Sequence, residues 1–191
     1  MGSDNAIERA HRLLAPRIAY LIGTVNEDKT PNLIPVSNLT SVSTQPQQIA
    51  LAVHKQWSTF ETLQTAAGFT VSVPVFGQLE AVWKLGARYS HFPTAGPVEK
   101  LIASGLPLDY QASEYGPVLS SGIGWMCCRI IARLDLGGDH GIVIGQAEQV
   151  WFNPDYLEID GTPRGTPHPV MQQTGNQFTS TADKFTSVPY F

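Results

Sequence analysis

Charge is scarce in this chain: only 15% of its 191 residues are Asp, Glu, Lys or Arg. Twelve cations stand against sixteen acids, for a net charge of −4, and the cations gather into no patch or stripe. A nucleic-acid partner is therefore not expected, because neutralising a phosphate backbone takes a concentrated basic face. Long apolar runs are missing too. None approaches the ~20 residues that a membrane-spanning helix requires, so no membrane partner is expected either. The start, Met1 to Glu8, is polar and acidic rather than signal-like, and the expected location is cytoplasmic. Cysteine is almost absent, and its two occurrences, Cys127 and Cys128, are adjacent. Neighbouring side chains of a strand point to opposite faces, so the pair reads as two buried thiols rather than a disulfide.

Several chemistries lack their residues. His11, His54, His91, His140 and His168 show no metal-type spacing with Cys, Asp or Glu, so no metal is expected. There is no Gly-x-Ser-x-Gly elbow, no phosphate loop ending in Gly-Lys-Ser/Thr, and no Gly-x-Gly-x-x-Gly after a strand. A nicotinamide nucleotide, if used, does not bind here through a Rossmann fold. The four Trp residues are scattered and read as core or interface.

What is present suits a strand-rich domain. Hydrophobic residues make up 42%, with 17 Gly and 14 Pro to turn the chain. The length fits one domain, 1–191, with a core at about 16–152 and a C-terminal extension at 153–191 packing on the core or a partner subunit. Ile7, Ala10, Leu13 and Leu14 predict a short amphipathic helix ended by Pro16. Ile18 to Val25 and Asn32 to Val36 form a strand pair around the polar turn Asn26 to Lys29. Pro31 and Pro35 deprive the second strand of two donors, which places it at an edge or bulge. Ile49 to Val53 is a buried strand, and Phe69 to Val75 alternates with a period of two. Between them a helix runs from about Thr59 to Ala67, with Ser58 and Glu61 as a capping box and Gly68 as its stop. Two further helices are expected at Leu79–Gly86 and Pro97–Ser104. Ser90 to Gly124 is otherwise a long connection of little periodicity. The last hairpin joins Met126–Leu136 to Ile142–Phe152 through Gly137-Gly138-Asp139-His140. The tail carries Phe178, Phe185, Tyr190 and Phe191, which favours packing over disorder. Together these elements predict a mainly β fold, a small antiparallel barrel with peripheral helices.

Three stretches can carry chemistry. Ser37-Asn38-Leu39-Thr40-Ser41-Val42-Ser43 is either a hydroxyl-rich loop leaving an edge strand or a row of donors and acceptors for the edge of a planar ring. Lys55-Gln56-Trp57-Ser58-Thr59 leads into the helix start, where free amides and a partial positive charge attract phosphate. Ser58 has two competing uses there, capping its own helix or binding the anion. Asp139-His140 is either plain turn chemistry or a proton donor and orienting group beside a redox centre.

In order and spacing these stretches resemble one family. Pro16-Arg17-Ile18-Ala19-Tyr20, Thr24-Val25 and Asn32-Leu33-Ile34-Pro35-Val36-Ser37 are similar to the opening of the flavin reductase-like, FMN-binding split-barrel proteins, flavoredoxins included. Thr59 to Leu63, Phe69 to Pro74, and Gly138-Asp139-His140-Gly141-Ile142 with Gly145 continue the likeness, which runs from about Pro16 to Val150. The resemblance implies a six-stranded antiparallel Greek-key split barrel, a homodimer, and FMN rather than FAD in a groove shared between subunits. It places Asn38, Leu39, Thr40, Ser41 and Ser43 along the ring and ribityl chain, with Ser58 and Thr59 at the phosphate. Trp57 stands where the family often has a basic residue, which leaves Lys55 as the nearest cation. His140 is implied to lie where a nicotinamide approaches. The activity implied is an NAD(P)H-dependent flavin reductase passing electrons to a small-molecule or protein acceptor. The alternative is a flavoredoxin-type electron carrier or flavin-binding protein without nicotinamide-dependent activity.

Overall fold

The computed structural model describes residues 4–86, 91–94 and 96–182. In chain order it contains α1 (Asp4–Ile7), a 3-10 helix (Ala10–Leu14), β1 (Arg17–Ile18), β2 (Tyr20–Val25), β3 (Pro31–Val36), β4 (Leu39–Thr44) and β5 (Gln47–His54). Then come α2 (Ser58–Thr65), β6 (Gly68–Val73), a second 3-10 turn (Phe76–Gln78), α3 (Leu79–Leu85) and α4 (Pro97–Ser104). The chain goes on through β7 (Leu108–Asp109), β8 (Val118–Leu119), β9 (Gly124–Leu134), β10 (His140–Phe152), β11 (Met171–Thr174) and β12 (Gln177–Thr179). Strand accounts for 42% and helix for 19%. None of the described helices is long and apolar enough to cross a membrane.

The main sheet has seven strands in the order β3-β2-β6-β9-β10-β5-β4, and the pairings along it are antiparallel. This corrects the expected count of six. The run from Pro31 to Thr44 is extended throughout but broken at Ser37-Asn38, and each half pairs with a different neighbour. β3 lies on β2, with Pro31 opposite Val25 and Pro35 opposite Leu21. β4 lies on β5, and the Asn38 carbonyl already accepts from the Ala52 amide at 2.9 Å. One bent run thus supplies both end strands, so the curled sheet is the split barrel expected. Both prolines sit on an end strand, where a missing donor costs little.

The barrel is filled from within by Ile22, Val36, Ile49, Leu51, Val53, Leu63, Phe69, Val71, Cys128 and Val143. β5 shows how the sequence arranges this: Ile49, Leu51 and Val53 are buried while their neighbours are only half-buried. A second cluster holds α3 and α4 against the sheet through Leu21, Leu33, Val82, Leu85, Leu101 and Leu119. Cys127 and Cys128 are buried free thiols, as expected. Burial pushes the Cys128 thiol up to about 12.

Four local expectations are revised. The period of two in β6 does not mark a wet face, because Thr70 and Ser72 are fully buried. The long connection folds over them: the Thr70 hydroxyl donates to the Pro117 carbonyl at 2.7 Å, and the Leu119 amide donates to Ser72 Oγ at 3.0 Å. That connection also forms α4, closed by Gly105 at φ 66°, and a small β7–β8 hairpin. The first helical stretch is two short pieces, and Ile7, Leu13 and Leu14 are exposed. Helix α2 has no side-chain cap, and Gly68 opens β6 rather than closing the helix. In the extension, β11 pairs with β1, and Phe178 meets Trp83 edge-on at 5.6 Å. Phe185, Tyr190 and Phe191 lie outside the described residues.

Candidate functional site

One strand connects the two stretches that matter most. β4 pairs with β5 from Leu39 opposite Leu51 to Thr44 opposite Gln47, with a register shift between Ser41 and Ser43. β5 ends at His54, and α2 begins four residues later at Ser58. Thr40 sits opposite Ala50, four residues and therefore about 13 Å from the end of β5. The hydroxyl-rich strand and the helix start are thus mounted along the same ribbon.

β4 ends the sheet, so its outer edge carries unpaired backbone donors and acceptors. Thr40, Ser41 and Val42 are exposed. The Ser41 hydroxyl accepts from Gln47 Nε2 at 3.0 Å. Leu39 packs on the barrel core, while Ser43 is half-exposed opposite Gln48. Asn38 is already engaged, its Oδ1 accepting from Arg17 Nη1 at 2.5 Å.

At the helix start the expected roles separate. Trp57 occupies the capping position in extended backbone (φ −93°, ψ 140°), and no side-chain oxygen caps the helix. Its first amides are therefore left for another acceptor. Ser58 is exposed, with its hydroxyl at the surface. Thr59 is 1% exposed, and its hydroxyl turns inward to accept from Asn32 Nδ2 at 3.0 Å. Thr59 accordingly offers an anion its amide, not its side chain. Lys55 Nζ lies 2.6 Å from Asp135 Oδ1. A partly exposed pair of this kind is worth about 0–1 kcal/mol and does not lock the lysine away.

The cluster around His140 contains a residue the sequence did not single out. The β5–β10 register sets His54 directly opposite His140, and their rings meet edge-on at 5.1 Å. His54 also stacks on Trp57 at 5.8 Å. Asp139 serves both histidines, with Oδ1 2.8 Å from His140 Nδ1 and Oδ2 3.9 Å from His54 Nε2. The hydrogen bond from His140, then its charge, holds the Asp139 carboxyl below its usual range. A carboxylate only accepts, so the His140 proton sits on Nδ1 and Nε2 is left to act on a ligand. Gly141 is required here: a Cβ on it would run into the Phe60 ring, which packs α2 onto β10. Among the described residues, no group of three or more His, Cys, Asp or Glu could hold a metal.

The chemistry of this donor set suits a flavin mononucleotide. The open edge of β4 can pair with the polar rim of a flat ring, and the uncapped helix start with a phosphate. Trp57, His54 and His140 offer aromatic faces between the two.

Residues 12–166 match the family model described as the flavin reductase like domain. Solved structures share the fold. An FMN-binding protein from Thermus thermophilus superposes with a TM-score of 0.75 at 19% identity, over 91% of each chain. The NADH:FAD oxidoreductase of Streptomyces globisporus gives 0.74 at 18% identity, over 97% of this chain and 98% of that one. The flavoredoxin of Desulfovibrio vulgaris gives 0.72 at 19% identity, over 92% and 91%.

Proposed function

The chain belongs to the flavin reductase-like domain family, and on that premise we propose that it is an FMN-binding oxidoreductase that takes electrons from NAD(P)H and hands them to an acceptor. The observation that carries this reading is β5, which mounts an open hydroxyl-rich edge and an uncapped helix start about 13 Å apart along one strand. Bound flavin supplies the two-electron chemistry, and the protein supplies position and polarity. Backbone of Leu39 to Ser43 orients the ring, with Asn38 held behind it by Arg17. The amides of Ser58 and Thr59 and the Ser58 hydroxyl hold the phosphate, with Lys55 as the adjacent cation. His140, its Nδ1 proton fixed by Asp139, presents Nε2 to the incoming nicotinamide and orients it or holds a proton.

The Streptomyces structure is described as an NADH:FAD oxidoreductase and the Thermus one as an FMN-binding protein, which supports a flavin enzyme. The flavoredoxin likeness supports the second reading, an electron carrier with no nicotinamide site. In either case the acceptor is a small molecule or a protein. A homodimer fits the exposed apolar side chains Leu13, Leu14, Leu134 and Val150. One assay separates the readings. The purified yellow protein is mixed anaerobically with NADH or NADPH, and bleaching of the flavin band is followed. Bleaching is the expected result. A yellow protein that neither nucleotide bleaches is the carrier, and a colourless one that takes up no added FMN removes both readings.

A further inference from the structure

A polar cleft lies on the ring side of this arrangement, between the N-terminal 3-10 helix and the β11–β12 turn. Its walls are His11, Arg12, Ala15, Arg17 and the stretch Gln172 to Gly175. No acidic residue lines it, although acids outnumber bases in the chain as a whole. Three of its eight lining residues carry or can carry positive charge. The Arg17 Nε–H is buried without a hydrogen-bond partner, so one donor of its guanidinium fork is uncommitted while Nη1 holds Asn38. Arg12 enters no ion pair among the described residues. Planar forks with free donors are suited to a phosphate monoester, which they grip with two parallel bonds.

The position of the cleft narrows the ligand. Arg17 reaches from its wall to Asn38, and Gln172 in the opposite wall accepts from the Ser37 hydroxyl at 2.9 Å. Both contacts fall on the joint that starts β4. The uncapped start of α2 lies at the other end, beyond β5, so the flavin's own phosphate is directed away from this cleft. An anion held here belongs to a different molecule that approaches the ring end.

We propose that the His11–Arg12–Arg17 cleft binds the 2′-phosphate of NADPH, which makes NADPH rather than NADH the preferred reductant. This rests on the flavin-enzyme reading for its functional meaning, but the binding itself can be measured without it. The flavin-loaded protein is titrated calorimetrically with adenosine 2′-phosphate, adenosine 5′-phosphate and inorganic phosphate, as wild type, Arg12→Ala and Arg12→Glu. The 2′-phosphate ester is expected to bind more tightly than the other two probes. Arg12→Ala should weaken it by about tenfold and Arg12→Glu by more, as loss of a charge-assisted hydrogen bond requires. The ratio of kcat/KM for NADPH to that for NADH should fall by a similar factor. Equal binding of the 2′ and 5′ esters overturns the proposal, as does a 2′ ester indifferent to Arg12. Inorganic phosphate binding as tightly as the ester also overturns it, leaving a free-anion site. A protein that takes up no flavin yet binds the 2′ ester through Arg12 keeps the cleft and removes the flavin reading.

Discussion

Replacing Thr59 with Val tests how the helix start is held. The Thr59 hydroxyl accepts from Asn32 Nδ2 at 3.0 Å, and the two residues are 1% and 3% exposed. Valine keeps the shape and leaves no cavity, so the change removes only the acceptor. Asn32 Oδ1 already lacks a partner, and the variant strands its amide nitrogen as well. A buried donor left unpaired costs about 1–3 kcal/mol. With a urea dependence of roughly 2 kcal/mol/M, the unfolding midpoint should drop by about 0.5–1.5 M. Adding Asn32→Leu removes the stranded group, so the double variant should recover most of the loss, and a double-mutant cycle should show coupling. Because the contact ties α2 to β3, Thr59→Val should weaken FMN more than riboflavin, which lacks the phosphate. A midpoint that moves by less than about 0.2 M, or strictly additive single changes, would refute this account of the contact.

The other expectations concern the cluster and the core. His140→Ala should slow flavin reduction by NAD(P)H on the order of a hundredfold while flavin stays bound, as loss of a positioned acid–base group does; a variant purified without flavin would make the role structural. The Cys128 thiol, pushed up to about 12 by burial, is protonated at pH 8. Native protein should therefore leave both cysteines unreacted with a disulfide reagent until it unfolds, and rapid native labelling would contradict the buried core. Asp135 and Asp139 are held below the usual 3.8, chiefly by hydrogen bonds from Lys55 and His140 respectively. Groups with lowered folded values contribute fully above the ordinary carboxylate pKa and lose that contribution as pH falls through the lowered one. Acidification below about 3.8 should accordingly perturb NMR signals of residues 135–140 before those around Phe69 and Val143. Simultaneous loss everywhere would show that the turn has no separate titration.

Strand order was legible wherever burial has a simple period, as in β5, and in the long hairpin with its Gly-Gly-Asp-His turn. The capping box was not. Ser58 and Glu61 have its spacing, but the chain turns one residue sooner, since the Trp57 amide already bonds the His54 carbonyl at 3.0 Å. That puts Trp57, not Ser58, in the capping place. Nor could alternation in β6 disclose that residues 117–119 cover its polar side, because a covering segment leaves no trace in the strand it covers. The ring-side stretch and the Asp139-His140 turn stood out by residue type alone. His54 did not, because nothing marks it until cross-strand register sets it opposite His140. Register is a property of two segments, and a single sequence does not display it.

The bent run from Pro31 to Thr44 has a consequence for how the molecule opens. Since that run seals the barrel's seam and also offers the ligand its ring-side edge, cofactor release and loosening of the seam are one event seen from two sides. Each molecule of flavin held there acts as a clasp on the fold, and heat should undo the two together.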